Sequence, residues 1–299
     1  MIIKELPQDD FNRYEKLSYE YGTIFNSLKW LKIFGDKVKI YGIYSNGNNL
    51  SGGFTVYKER KFGVSIYRNP PFTPLIGPFL KIDALNPVRV INTWKEAISS
   101  MTVFMDNLPY LIISFSLDRR IVDTQPFIWN KFKVVPGYTY ILDLTLPIDD
   151  IWNRMSNERR NDIRKGQSDG LTVEQTNNFE IIKSLVLKTF SRQGKKINEY
   201  YLDKILFGFA ADENSFAFVT FRKKQPIACS FCINDKYIAY YILGGYDKEL
   251  KHHGAGALAM WEAIKYSKTL GLRYFDFEGS MVPQIERYFR GFGGILTPY

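Results

Sequence analysis

Hydrophobic and polar positions switch several times between a helical period of about 3.6 and a strand period of 2, and the switches mark the elements. The second half is the clearer. Asp149 reads as a helix N-cap before Ile151–Met155, and a short helix is predicted over Glu158–Lys165, ending near Gly166 or Gly170. Leu171–Glu174 reads as a strand, followed by amphipathic helices at Glu180–Ser191 and Glu199–Ala211. Three strands come next, Ser215–Phe221, Ile227–Ile233 and Tyr237–Leu243, with polar turns at Lys223-Lys224 and Asn234–Lys236. A loop carrying Gly244, Gly245, Gly254 and Gly256 leads into a helix at Ala257–Leu270. Gly271 stops that helix, and Arg273–Phe277 makes a short apolar strand.

The first half repeats this order more loosely. Helical patterns at Asp10–Tyr21 and Leu28–Phe34 precede strands Val38–Tyr44, Leu50–Tyr57 and Gly63–Tyr67, then a helix at Pro87–Asn107 and a strand at Leu111–Phe115. Pro136–Leu146 reads as a strand closing this half, with Pro147 as a natural boundary. The order predicts an α+β chain of two domains, 1–146 and 147–299. One difference between them is physical. Where the second half has glycines between its third strand and its helix, the first has Pro70, Pro71, Pro74 and Pro78. Proline carries no backbone donor, so that loop is poorly suited to cradle a phosphate. A nucleotide-like ligand is therefore expected in the second half.

Composition narrows the class. Hydrophobic residues make up 45% of the 299 and aromatics 16%, which is enough for two cores and argues against disorder. No apolar run approaches the roughly 20 residues of a membrane helix, and the opening MIIKELPQDD meets acid at Glu5, so a cytoplasmic protein is expected. The formal charge of +9 favours an anionic partner, whether phosphates, nucleic acid or an anionic membrane surface contacted peripherally, yet the halves carry +5 and +4, so the excess is not a basic tail. The densest basic run, Arg154 to Lys165, contains Arg159, Arg160, Arg164 and Lys165, whose ordinary reading is a solvated helix face. Cys229 and Cys232 form a C-x-x-C inside an apolar strand with no second pair, which points to core cysteines rather than a metal or redox site.

Candidate chemistry concentrates after Lys251. The string Lys251-His252-His253-Gly254-Ala255-Gly256 lies between a strand and a helix, where small residues and helix-start N–H groups favour a pyrophosphate. It resembles the pyrophosphate loop of GNAT-type N-acyltransferases, Arg/Gln-x-x-Gly-x-Gly/Ala, with Lys251 in the first position. On that resemblance Lys251, His253, Gly254, Ala255 and Gly256 are the candidate cofactor contacts. The two histidines are otherwise expected to be surface loop residues, and they supply no metal set. No zinc, Walker or nucleophile-elbow pattern occurs.

A broader resemblance spans about residues 23–299. NERRNDIRKGQSDGLTVEQ is similar to the start of the second domain in the Fem family of peptidyltransferases and its GNAT-like relatives. WEAIKYSKTLGLRYFDFEG and IERYFRGFGG resemble that group's closing helix, strand and Phe-Lys/Arg-x-x-Phe-Gly segment, while IFNSLKWLKIFG and PLIGPFL resemble its early motifs. The resemblance implies two tandem GNAT-like domains, the second binding the donor and the cleft between them taking the acceptor. It also implies an enzyme that transfers an acyl group from acyl-CoA (acetyl-CoA or longer) to an amine of a small molecule or cell-wall precursor. Two alternatives stand beside it: aminoacyl-tRNA-dependent peptidyl transfer, with Arg159, Arg160, Arg164 and Lys165 as contacts to tRNA or substrate, and a non-catalytic binding protein. Amine attack needs a base, oxyanion stabilisation and an acid. Glu278 is the expected base, with Asp276 two residues before it on the same strand face. Arg290 matches the family's basic position, and Tyr288 is the expected acid toward the leaving group.

Overall fold

The computed structural model describes residues 1–45, 48–279 and 281–299. They form two compact units, Met1–Pro136 and Gly137–Pro298. The first holds strands β1 (Ile2–Glu5), β2 (Val38–Ser45), β3 (Asn49–Lys61), β4 (Val64–Arg68), β5 (Phe79–Leu80) and β6 (Ile112–Ile113). Their order is β1-β2-β3-β4-β6, with β5 paired to β3. Among the described residues, only β4 and β6 of this sheet run parallel. Helices α1 (Phe11–Tyr21), α2 (Leu28–Leu31), α3 (Pro87–Asp106) and α4 (Gln125–Trp129) complete the unit. The longest, α3, starts where the Asn86 side chain accepts the N–H groups of Val88 and Arg89, and Pro87 fills a position that needs no donor. Its face of Ile98, Met101 and Met105 packs on Tyr41, Phe54, Val56 and Tyr67 of the sheet.

The second unit holds β7 (Tyr138–Asp143), β8 (Thr172–Gln175), β9 (Ser215–Arg222), β10 (Gln225–Asn234), β11 (Ile238–Tyr246), β12 (Tyr274–Asp276) and β13 (Ile295–Pro298). The sheet order is β13-β7-β12-β11-β10-β9-β8, and among the described residues its one parallel pair is β11 with β12. Helices are α5 (Ile148–Arg154), α6 (Asn157–Ser168), α7 (Phe179–Arg192), α8 (Glu199–Asp203), α9 (Gly254–Thr269) and α10 (Pro283–Arg290). The central helix is α9, which buries Ala255, Ala257, Leu258, Ala259, Met260, Ala263 and Ile264. Thr220 and Ser230 tie it to the sheet, their hydroxyls donating to the Ala255 and Ala259 carbonyls at 2.9 and 3.0 Å.

Several expectations change. The strand expected to close the first unit, β7, pairs with β12 and β13 in the second sheet, so the division falls after Pro136 rather than at Pro147. The helix expected at Glu199–Ala211 is α-helical only to Asp203 and continues as a π turn through Phe209. The helix expected at Leu28–Phe34 likewise tightens to a 3-10 turn after Leu31. Gly166 does not end α6; it lies inside it, facing Leu258 and the Gly254 carbonyl. Cys229 and Cys232 are free and buried in β10, and burial raises both thiols, Cys229 to about 12. Among the described residues, no group of three or more His, Cys, Asp or Glu could hold a metal, and no helix is long and apolar enough to cross a membrane.

Candidate active site

The site is built where β11 and β12 stop pairing. They pair only from Ile238 to Tyr240, yet β11 runs on to Tyr246. Against β10, its register steps from Phe231 opposite Leu243 to Cys232 opposite Tyr241. Ile242 is thus the extra residue of a bulge, which bends the strand. The first residues past the pairing are Tyr241 on one side and Phe277 on the other. The Phe289 ring reaches both, with its centroid 5.8 Å from Tyr241 and 5.4 Å from Phe277. Phe292 stacks on Phe277 as well, at 5.4 Å. The segment Phe289-Arg290-Gly291-Phe292-Gly293 therefore serves packing first: two rings close the gap from α10. Gly293, at φ 80°, makes a turn in which a Cβ would stand 2.4 Å from the Arg154 carbonyl.

Directly beside this gap α9 begins. Its N-cap position, His253, makes no side-chain cap; instead the buried His252 ring does that work. His252 Nδ1 accepts the Gly254 N–H at 3.1 Å, which places the ring proton on Nε2, 3.0 Å from Asp169 Oδ2 at the end of α6. Tyr246 Oη accepts the His252 N–H at 2.9 Å. His252 is therefore not a surface loop residue but the peg joining β11, α6 and α9. Gly254 has a packing role too: a Cβ there would lie 2.2 Å from the Asp162 carbonyl, so α6 crosses directly over it. Gly256 differs, because a Cβ there would meet only the Tyr288 hydroxyl, at 3.4 Å. The first turn of α9 is closed by α6 on its Gly254 side and faces Tyr288 on its Gly256 side. Lys251 and His253 are exposed beside it.

Tyr288 is held from beneath by Arg159. The guanidinium carbon lies 4.3 Å from the Tyr288 ring centroid and 5.1 Å from that of Phe292. Arg159 is 6% exposed, its Nη1 pairs with Asp162 Oδ2 at 2.8 Å, and its buried Nε has no hydrogen-bond partner. Burial pushes the Tyr288 phenol up to about 12, with Arg159 pulling the other way. It is thus a protonated hydroxyl at neutral pH. Burial also raises the Asp162 carboxyl, again opposed by Arg159.

The carboxylates are arranged differently from the expectation of a shared strand face. β12 ends at Asp276, and Glu278 sits in a left-handed turn at φ 61°. Asp276 is buried, its Oδ1 accepting the Thr139 hydroxyl at 2.6 Å and the Glu278 N–H at 2.8 Å. Gly279 follows at φ 64°, where a Cβ would be 2.2 Å from the Tyr138 carbonyl. Strand alternation fails because the chain turns back on β7 here. Asp276 and Gly279 fix where Glu278 stands.

The basic residues separate. Arg290 is 200° around α10 from Tyr288 at about 100° per residue; its side chain is 62% exposed and pairs with Glu286 at 3.2 Å. Arg160 is partly buried and donates to the Asn153 carbonyl. Arg164, with its guanidinium carbon 5.4 Å from the Trp152 ring centroid, and Lys165, paired with Asp169, face solvent. Arg159 alone turns inward. Sequence reasoning missed His252, Tyr241 and Phe289. A helical wheel of α6 holds the one available signal: Arg159 shares its face with the buried Ile163 and Gly166.

Residues 157–290 match the family model described as an acetyltransferase (GNAT) domain. The match lies within the second unit, and the mixed sheets of the two units fit a two-domain GNAT-like fold. The whole chain is similar to the crystal structure of FemX, with TM-score 0.69 and 13% identity over 99% of this chain and 95% of that one. It is also similar to the C-terminal domain of a putative lysylphosphatidylglycerol synthetase from Agrobacterium fabrum, with TM-score 0.59 and 10% identity over 97% and 90%. A third match is L-PGS from Bacillus licheniformis, with TM-score 0.56 and 13% identity over 100% and 91%. No curated protein matches the chain by sequence.

Proposed function

We propose that the chain is an acyltransferase that moves an acyl or aminoacyl group from an activated donor to an amine, with the reacting carbonyl beside Tyr288 and the first turn of α9. The observation that carries this reading is the hydroxyl of Tyr288 facing Gly256, at a helix start with no side-chain cap on its N-cap residue, inside a GNAT domain. His252 takes the Gly254 and Ala255 N–H groups, so it is the Gly256 side of that turn, with the helix dipole, that favours a developing oxyanion or a donor phosphate. As the amine attacks, a C–N bond forms and the donor C–O or C–S bond breaks. Glu278 takes the amine proton, and the protonated Tyr288 phenol gives one to the leaving group. Asp276 acts by holding the Glu278 backbone. Arg290, on the open face of α10, meets phosphates of the donor or acceptor, as do Arg160, Arg164 and Lys165. Lys251 and His253 border the same helix start.

One observation favours the Fem-type donor over acyl-CoA. A thioester arm lying along the free edge of β11 would displace Phe289, which is 6% exposed and stacked on Phe277. An aminoacyl ester presented from outside the gap leaves that ring in place. The acceptor is then the amine of a cell-envelope precursor such as a peptidoglycan stem peptide. The test is transfer of a labelled group to a lysine-containing stem peptide from aminoacyl-tRNA or from acetyl-CoA, with calorimetric titration of acetyl-CoA in parallel. Transfer from aminoacyl-tRNA and no heat with acetyl-CoA are expected. Turnover of acetyl-CoA would reverse the choice of donor, and transfer from neither would leave a binding protein.

A further inference from the structure

The hairpin of β3 and β4 outruns the rest of its sheet. β2 pairs with β3 only as far as Tyr57, and β6 pairs with β4 only at Ile66 and Tyr67. Beyond them the two strands pair with each other alone, up to Lys61 opposite Val64. The tip is Phe62 and Gly63, both with positive φ, and Phe62 is fully exposed at 104%. A left-handed Phe at a solvated turn costs about 1 kcal/mol or more and gains no burial within the chain. Val64 (38%), Ile112 (52%) on β6 and Leu111 (63%) just before it extend the apolar surface along the same edge. Leu111 N–H donates to the Ser65 carbonyl, which fixes that neighbourhood.

The charge around this patch is predominantly positive. Arg60 and Lys61 are exposed beside Phe62, and Lys58 precedes them. Glu59 is matched by Arg68 at 2.6 Å, and the other nearby acid, Asp106, accepts the Tyr110 hydroxyl at 3.0 Å. The neutral Tyr110 hydroxyl leaves the Asp106 charge in place, so the three cations Lys58, Arg60 and Lys61 against that one acid leave a net excess of two positive charges. Phe62 is the one stacking face in the patch; the aliphatic Val64, Leu111 and Ile112 beside it offer none to nucleic-acid bases, whereas all four partition into lipid, and basic residues beside them favour anionic headgroups.

We propose that this hairpin is a membrane-docking tip: Phe62, Val64, Leu111 and Ile112 enter the headgroup boundary of a bilayer while Lys58, Arg60 and Lys61 meet its anionic phospholipids. The inference rests on the first unit alone and stands whether or not the second unit transfers acyl groups.

The test uses the full chain with vesicles of phosphatidylcholine alone or enriched in phosphatidylglycerol. Co-sedimentation is expected with the anionic vesicles, weakening as salt rises. Arg60→Gln and Lys61→Gln should each lower partition about five-fold, the equivalent of about 1 kcal/mol per basic side chain. Phe62→Ser should lower it several-fold with unchanged thermal unfolding. In Phe62→Trp, the difference fluorescence spectrum against the unsubstituted chain should shift to the blue on anionic vesicles. Absence of vesicle binding, binding indifferent to Phe62→Ser, or a hairpin that binds tRNA and not vesicles would each overturn the proposal.

Discussion

The two units share one plan and differ at one joint. Each lays down three antiparallel strands, crosses through a helix and returns with a strand parallel to the third: β2-β3-β4, α3, β6 in the first and β9-β10-β11, α9, β12 in the second. The joint lies between the third strand and the helix. In the first unit it holds Pro70, Pro71, Pro74 and Pro78, packs onto β3 through β5, and ends in a helix whose first amides are taken by Asn86. In the second it is short and ends at Gly254-Ala255-Gly256, with the N-cap side chain unused and a tyrosine hydroxyl opposite Gly256. The first two amides of α9 are also taken locally, by the His252 ring and carbonyl, so the joints differ at the third helical residue: Asn86 takes the Arg89 N–H in the first unit, whereas Gly256 stands opposite the Tyr288 hydroxyl in the second.

The largest effect expected from that difference concerns Tyr288. Tyr288→Phe keeps the ring on Arg159 and removes only the proton donor, so transfer should fall at least about 100-fold with little change in unfolding. Activity within a few-fold of the parent chain would mean the second joint is as inert as the first. Next come the two glycines. Gly254→Ala gains about 1 kcal/mol of helix propensity, but its Cβ would stand 2.2 Å from the Asp162 carbonyl. Forcing α6 off α9 should give a net loss of roughly 1–3 kcal/mol in denaturant unfolding. Gly256→Ala has room, so it should keep or raise stability while lowering transfer. Equal behaviour of the two would break the separation between packing glycine and site glycine.

The shared plan was legible because its signals are local: strand alternation, helix period, proline and glycine at the turns. Contacts between distant segments were not. Nothing local in Tyr138–Asp143 says that its partners are β12 and β13, so it was joined to the preceding half. β1, β13 and the far end of β3, where Lys58–Lys61 carry charge, have too few apolar positions to show alternation. In the site, Glu278 and Tyr288 were legible as residue types, whereas the geometry around them was not. The pleat that would align Asp276 with Glu278 ends at Asp276, two residues short. Charge along the chain groups Arg159 with its basic neighbours, and only its position on the wheel of α6, with Ile163 and Gly166, sets it apart. The Phe-Arg-x-Phe-Gly segment drew attention to its arginine, while its phenylalanines close the gap between β11 and β12.

The smaller effects lie at the first residue after each third strand. In the first unit this is Asn69, whose amide donates to the Thr73 and Pro74 carbonyls at 2.9 Å each and accepts the Ser116 N–H at 3.0 Å. Asn69→Ala leaves three partly buried groups unmatched and should cost about 2 kcal/mol, read by denaturant unfolding. The counterpart in the second unit is Asp247, a buried carboxylate that accepts the Lys188 ammonium at 2.5 Å and the Glu249 N–H at 2.9 Å. The Lys188 hydrogen bond holds its carboxyl below the ordinary 3.8. Near that value the unfolded chain binds more protons than the folded one. The Asp247 contribution is therefore complete above the ordinary carboxylate range and is lost as pH falls through the depressed folded value. Lys188 gives the opposite limb: Asp247 raises its pKa above 10.5, so the pair weakens again as pH climbs through that raised value. Asn69 titrates on neither side. Asp247→Asn should flatten both limbs of the unfolding midpoint against pH, while Asn69→Ala lowers the whole curve without changing its shape. An acid limb that survives Asp247→Asn would place the pH sensitivity elsewhere and remove this distinction between the two joints.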